Sequence, residues 1–276
     1  MKFALWALIA IYAASRILQV FPGRVAALGV VALHVFPPAV FAWVHGVRVY
    51  GWRGMLAFFS LCLVVGNAFE NLGVLTGFPF GHYNFTDLMG PKIFAVPVLL
   101  GMAYVGMAYL AWTLARTILG DEQLPLAGSR VISPPLMAAF LMTAWDLSMD
   151  PVWSTLLHAW IWRDGGAYFG VPASNFFGWY LTVFCFYQLF ALYLRHRPQR
   201  PEPARSHWRL PVIFYAVSAA GNVLLTIPRA GPAFVSDATG ETWRVTDITG
   251  ACAVISIFVM GAFALMAWVR LRDPDL

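Results

Sequence analysis

Apolar residues in this chain come in long unbroken stretches separated by short polar ones. The stretches cover roughly residues 3–20, 25–45, 55–76, 93–115, 131–149, 176–194, 210–228 and 249–269. Each approaches the ~20 apolar residues a helix needs to cross the hydrocarbon core of a bilayer. They are too long for strands, and they lack the alternation of a membrane barrel. Breakers and charges collect between them, as at Phe21-Pro22-Gly23 and in 195–209, which holds prolines 198, 201 and 203. The pattern predicts an all-α protein: a polytopic transmembrane helical bundle of about eight spans. It forms a single integral membrane domain over residues 1–276, with no internal repeat.

Composition agrees. Of the 276 residues, 60% are hydrophobic and 11% charged, against about 25% charged in a soluble domain. The net charge of +5 does not point to nucleic acid, because the basic residues lie in short inter-helix segments. They follow the positive-inside rule instead. With eight spans and a cytoplasmic N-terminus, twelve Lys and Arg fall in inside segments and five in outside ones. Both termini are then cytoplasmic, and Arg16 is left within the first run. That run reads as an uncleaved span, since Arg16 interrupts it and no small-residue cleavage site follows. Cys62, Cys185 and Cys252 lie in apolar runs without partner spacing and read as small buried hydrophobes.

Ionisable side chains within a span are costly and mark candidate sites. Here they are Glu70 in the third run, Asp146 in the fifth and Asp150 at its end before Pro151, with Asn222 in the seventh. Glu70 and Asp146 are each roughly 22 Å up from the cytoplasmic ends of their runs, and Asn222 roughly 18 Å, at 1.5 Å per residue. The three share a layer in the outer half of the membrane, which predicts a common pocket. Asp146 and Asp150 are four residues apart and share a helix face. Two carboxyls in a poorly solvated site resist joint ionisation, so one keeps its proton. A neutral carboxylic acid among apolar groups is what protonation of an unreactive alkene requires.

Two outer loops mix aromatics, glycines and polar groups: 77–87, with His82, Tyr83 and Asp87, and 160–180, with Asn175 and Trp179. Such loops can close over the end of an apolar ligand, and aromatic faces can stabilise a carbocation. His34, near Pro37-Pro38, reads as a hydrogen-bonder at a kink, and His82 and His158 form no metal-ligand spacing. No HExxH, His-rich box, Walker or Rossmann pattern is present, which argues against di-iron desaturases, zinc proteases and nucleotide-driven pumps.

Together, Phe69-Glu70-Asn71-Leu72-Gly73-Val74, Thr76-Gly77-Phe78-Pro79-Phe80-Gly81-His82-Tyr83, Ala144-Trp145-Asp146-Leu147-Ser148-Met149-Asp150-Pro151, Trp160-Ile161-Trp162, Gly170-Val171-Pro172 and Asn175-Phe176-Phe177-Gly178-Trp179 resemble the CruF-type carotenoid 1,2-hydratases. The similarity runs from about residue 65 to 182. Phe85 departs from the pattern, standing where a second tyrosine is expected. The resemblance implies addition of water to the terminal C1–C2 double bond of an acyclic (ψ) carotenoid end, giving a tertiary alcohol. It implies a long polyene substrate, acyclic or monocyclic, no cofactor and no metal. It also implies a bacterial or archaeal inner membrane, contact with membrane lipids, and association with other carotenoid enzymes. Asp146, Asp150 and Glu70 are then the candidate catalytic groups. Asn71, His82, Tyr83, Asp87, Trp145, Asn175, Trp179 and Asn222 are candidate substrate contacts, and the site faces the extracytoplasmic side.

Two rival readings follow from the same residues. A lycopene cyclase-like enzyme would begin with the same protonation but needs a dry aromatic wall in place of a polar group beside C1. A non-catalytic carotenoid or lipid carrier, or a transporter, would place its polar groups at the midplane, often with repeat symmetry.

Overall fold

The structure is a computed structural model that describes residues 2–21, 27–121, 125–197, 203–227 and 231–272. Its helices are α1 (Lys2–Leu18), α2 (Ala27–Thr76), α3 (Val98–Ile118), α4 (Ser133–Leu147), α5 (Ala173–Arg195), α6 (Arg205–Val223), α7 (Val245–Ile255) and α8 (Gly261–Arg272). A π-helical turn, Ser256–Met260, joins α7 to α8 as one rod. Short strands lie only in the connections: β1 (Tyr83–Phe85), β2 (Lys92–Ile93), β3 (Val96–Pro97), β4 (Trp160–Trp162), β5 (Phe234–Ser236) and β6 (Thr242–Arg244).

Six helical segments among the described residues are long and apolar enough to cross a membrane. The first, Gly29–Thr76, is two spans. Gly51 has φ 74° and ψ 167°, a conformation essentially reserved for glycine, and the chain reverses there. Trp43 and Phe59 prove the reversal, with ring centroids 5.2 Å apart, whereas sixteen residues of continuous helix would separate them by about 24 Å. The count is thus seven. The remaining apolar run, the first, is α1, with 17 residues, a little short of the usual ~20, packed against α2 and α6.

α3 is buried on nearly every face, the mark of a helix surrounded by others. It packs against α2, α4, α6 and α8. Where it crosses the first limb of α2, a Cβ on Gly106 would come 2.8 Å from the Ala39 backbone nitrogen, so only glycine allows this approach. Outward-facing residues such as Phe3, Val64, Leu75, Phe140 and Phe258 are large, apolar and exposed. A bilayer covers such a surface; water does not.

The fourth run begins later than its hydropathy suggests. Residues 92–97 form the β2–β3 hairpin, and α3 starts at Val98 behind Pro97. Proline has no N–H to lose at a helix start.

Candidate active site

α4 ends at Leu147, and the chain runs through Pro151 into a π-helical turn, Val152–Leu156. The Tyr168 hydroxyl donates to the terminal Leu147 carbonyl at 3.0 Å, satisfying one of the acceptors that a helix end leaves open. Asp146 and Asp150 on this segment are both buried. Asn175, in the first turn of α5, bridges them. Its Nδ2 donates to Asp146 Oδ2 at 3.0 Å and to Asp150 Oδ2 at 2.6 Å. Asp150 Oδ1 accepts from the indoles of Trp160 (3.0 Å) and Trp162 (3.4 Å). Three N–H groups therefore face Asp150 and one faces Asp146. Asp146 Oδ1 and Asn175 Oδ1 have no hydrogen-bond partner among the described residues.

Glu70, on the second limb of α2, completes the group. It is buried and accepts from the hydroxyls of Tyr83 and Tyr104, each at 2.5 Å. Burial first, and then the neighbouring Glu70 charge, push the Tyr83 hydroxyl well above its ordinary pKa, so it remains a donor. None of these hydrogen-bond partners is a cation.

The loops 77–87 and 160–180 meet over the carboxyls as an antiparallel ribbon, β1 against β4, in the register Tyr83↔Trp162, Asn84↔Ile161, Phe85↔Trp160. Successive strand residues point to opposite faces. Tyr83, Phe85, Trp160 and Trp162 are accordingly buried, while Asn84 and Ile161 are only partly covered. The inner face is an aromatic ladder, with Tyr83 and Trp162 rings 4.8 Å apart. Phe80 anchors the loop in a slot between two glycines: an added Cβ would come 2.6 Å from its ring at Gly73 and 2.7 Å at Gly178. Under the ribbon lies a cavity of about 20 Å³, lined by Glu70, Asp150, Asn175, Trp162 and Trp179 among others. That is room for one water molecule and little more.

Of the residues expected at the site, Glu70, Asp146, Asp150, Tyr83, Asn175 and Trp179 come together. Trp179 stacks on Tyr104, with centroids 4.6 Å apart, and Trp145 meets Trp179 edge-on at 6.1 Å. Others lie elsewhere. His82 is exposed, paired with Asp164 at 2.7 Å. Asp87 is exposed, 3.4 Å from Lys92 Nζ. Asn71 donates to the Asn67 carbonyl (2.8 Å) and accepts from the Ala95 N–H (3.1 Å), tying the β2–β3 hairpin to α2.

Asn222 corrects the expectation of one shared pocket. It belongs to a separate cluster, donating to Ser148 Oγ (2.9 Å) and Ser256 Oγ (3.1 Å) and accepting from Arg16. Ser148 lies between Asp146 and Asp150 in sequence but on the other face of the segment, because residues two apart do not face the same way.

Tyr104 gave no sequence signal beyond being a tyrosine in an apolar run. The roles of Trp160 and Trp162 had one: Tyr-Asn-Phe and Trp-Ile-Trp both put aromatics at alternate positions, the period of a strand. Among the described residues, no three His, Cys, Asp or Glu side chains are grouped so as to hold a metal ion.

The sequence profile of the carotenoid biosynthesis protein family matches residues 25–240. This stretch is over three quarters of the chain and contains every residue of the carboxyl cluster. No curated protein and no solved structure matches the chain.

Proposed function

Because the chain belongs to the carotenoid biosynthesis protein family, we propose that this integral membrane protein is a carotenoid 1,2-hydratase. It adds water across the terminal C1–C2 double bond of a ψ end group. The observation that carries this reading is the bridging of Asp146 and Asp150 by one amide beside a cavity with room for one water. An acid, a base and a nucleophile are then available in one buried place.

The roles follow from the unequal surroundings of the carboxyls. Asp146, with a free Oδ1, is the general acid that gives its proton to C2. Asp150, faced by three N–H donors, is the carboxylate. Protonation leaves a tertiary cation at C1, shielded by the rings of Tyr83, Trp162 and Trp179. Water attacks C1 and loses a proton to Asp150. Return of that proton to Asp146 resets the pair, and the net change is addition of one water. Glu70, held by two tyrosine hydroxyls, orients the water. Asn71 leaves the mechanism, since both ends of its amide are engaged elsewhere.

The isoprenoid end is several times larger than the cavity, so its entry requires the β1–β4 ribbon to lift or its inner rings to turn aside. The polyene lies along the bilayer with its reacting end at the extracytoplasmic face. This matches the loop charges and the carboxyls at the ends of α2 and α4. A cyclase would use the same acid but close the cation on the neighbouring alkene; a water-sized cavity lined by carboxyls favours the hydratase.

The test is purified protein in detergent with an acyclic carotene in heavy-oxygen water. Heavy oxygen in a tertiary alcohol product supports hydration. An unlabelled isomer of unchanged mass supports cyclisation and overturns it.

A further inference from the structure

On the opposite face of the Asp146–Asp150 segment lies a second, far larger cavity of about 1000 Å³. It opens between the ends of α1, α4 and α6 and the starts of α2 and α7. Its wall is mostly apolar, with Val31, Met149, Trp153, Leu156 and Leu225 among its residues. Its charged residues are Arg16 and Arg244; among the described residues no Asp or Glu lines it.

Arg16 is the unusual group. It lies in the last turn of α1 and is only 6% exposed. Its guanidinium lies against Gly221, which leaves no room for a Cβ beside Nε, and donates to Asn222 Oδ1. Asn222 is in turn held by Ser148 and Ser256. The arginine is thus built into place by three helices and a π-helical turn, yet its Nε has no acceptor and no carboxylate pairs with it among the described residues. A buried guanidinium at this depth is ordinarily paired, and its fork fits a carboxylate or phosphate. Arg244, exposed at the rim and stacked on Phe234 (5.9 Å), adds a second positive charge at the mouth.

We infer that this cavity binds an acidic amphiphile from the membrane, its anionic head paired with Arg16 and its hydrocarbon part against the apolar wall. The head is a fatty-acid carboxylate or a phospholipid phosphate. Arg16 lies outside the stretch matched by the family profile, and the site stands apart from the carboxyl cluster, so the inference does not depend on the reaction proposed above.

The experiment is thermal unfolding of the full chain in a neutral detergent with oleate, phosphatidylglycerol, phosphatidylcholine, oleyl alcohol or squalene added. Oleate or phosphatidylglycerol should raise Tm by about 5 °C or more at a hundredfold excess over Kd, and the three uncharged or zwitterionic probes should not. Which of the two acids acts identifies the source of the anion. Arg16→Gln should abolish the shift. Should that variant fail to fold, Leu157→Trp narrows the mouth with Arg16 intact and should reduce the shift. Equal stabilisation by oleyl alcohol or squalene, retention of the shift in Arg16→Gln, or no shift with either acid would overturn the inference.

Discussion

The amide nitrogen of Asn175 stands 2.6 Å from Oδ2 of Asp150 and, through its second hydrogen, ties that carboxyl to Asp146 at 3.0 Å. One side chain on α5 therefore fixes the spacing of two carboxyls that α4 and its irregular extension supply. A hydrogen bond to a charged group contributes about 1.5–3 kcal/mol. Asn175→Ala should lower kcat about ten- to hundredfold and change KM little, because the amide holds carboxyls and not the polyene. Steady-state kinetics on the purified variant decide this, and a KM effect alone would assign Asn175 to substrate binding.

Glu70 is oriented by two phenols at 2.5 Å. Tyr104→Phe removes one hydroxyl while keeping the ring that stacks on Trp179. Activity should fall about tenfold with near-normal stability. Tyr104→Leu should lose stability as well, since the stack goes too. Comparing kcat and Tm across the two variants separates orientation from packing.

On the proposed reading, if the end group reaches the cavity of about 20 Å³ by parting β1 from β4, a cross-link between the two strands of the ribbon should block it. Asn84 and Ile161 are cross-strand partners on its outer side. Cysteines at both positions should form a disulfide on oxidation, abolish turnover of the carotene, and restore it on reduction. Full activity in the oxidised protein would mean that the polyene enters by another route.

Gly178 tests the slot for Phe80. A methyl group there would come 2.9 Å from the Pro79 backbone. Gly178→Ala should destabilise by about 1–3 kcal/mol, lowering Tm by about 2–4 °C for each kcal/mol. Gly250 is the control, since a Cβ there meets nothing within 4 Å, and Gly250→Ala should be neutral or slightly stabilising.

The β5–β6 hairpin carries a pH dependence of its own. Burial alone would raise the Asp237 pKa, but hydrogen bonds from Thr239, Trp243 and Glu241 outweigh it and hold the carboxyl below its ordinary 3.8. Because the folded value is depressed, the stabilisation is present above pH 3.8 and is lost as pH falls through the folded pKa. Protection of the Thr239 and Glu241 amides, whose N–H groups donate to Asp237, measured as exchange relative to the unstructured peptide at the same pH, should fall below that pH. In Asp237→Asn the acid-dependent loss of protection should be absent.

Hydropathy made the helices legible because a bilayer imposes one length and one polarity on every span. It also placed Glu70 and Asp146 at one level. The depth calculation failed for Asn222 for a definite reason: counting residues along a helix gives height but not direction around its axis. Asn222 turns toward Arg16 and Ser256 instead of Asn175. Arg16 looked like an interruption of the first run, and only tertiary packing reveals the Gly221 notch that receives it. The ribbon was hidden by its brevity, three residues per strand, although both strands carry the alternation. The fold-back at Gly51 left only a gap between two apolar runs, and its φ could not be foreseen from composition.

Expression in a lycopene-producing bacterial host, wild type beside Asp146→Asn, with pigments separated by chromatography and weighed by mass spectrometry, tests the central claim most directly. The account predicts a polyene heavier by one water in the wild type and unaltered lycopene in the variant. A hydrated product made equally well by Asp146→Asn, or a wild-type product of unchanged mass with a shifted absorption spectrum, would contradict it.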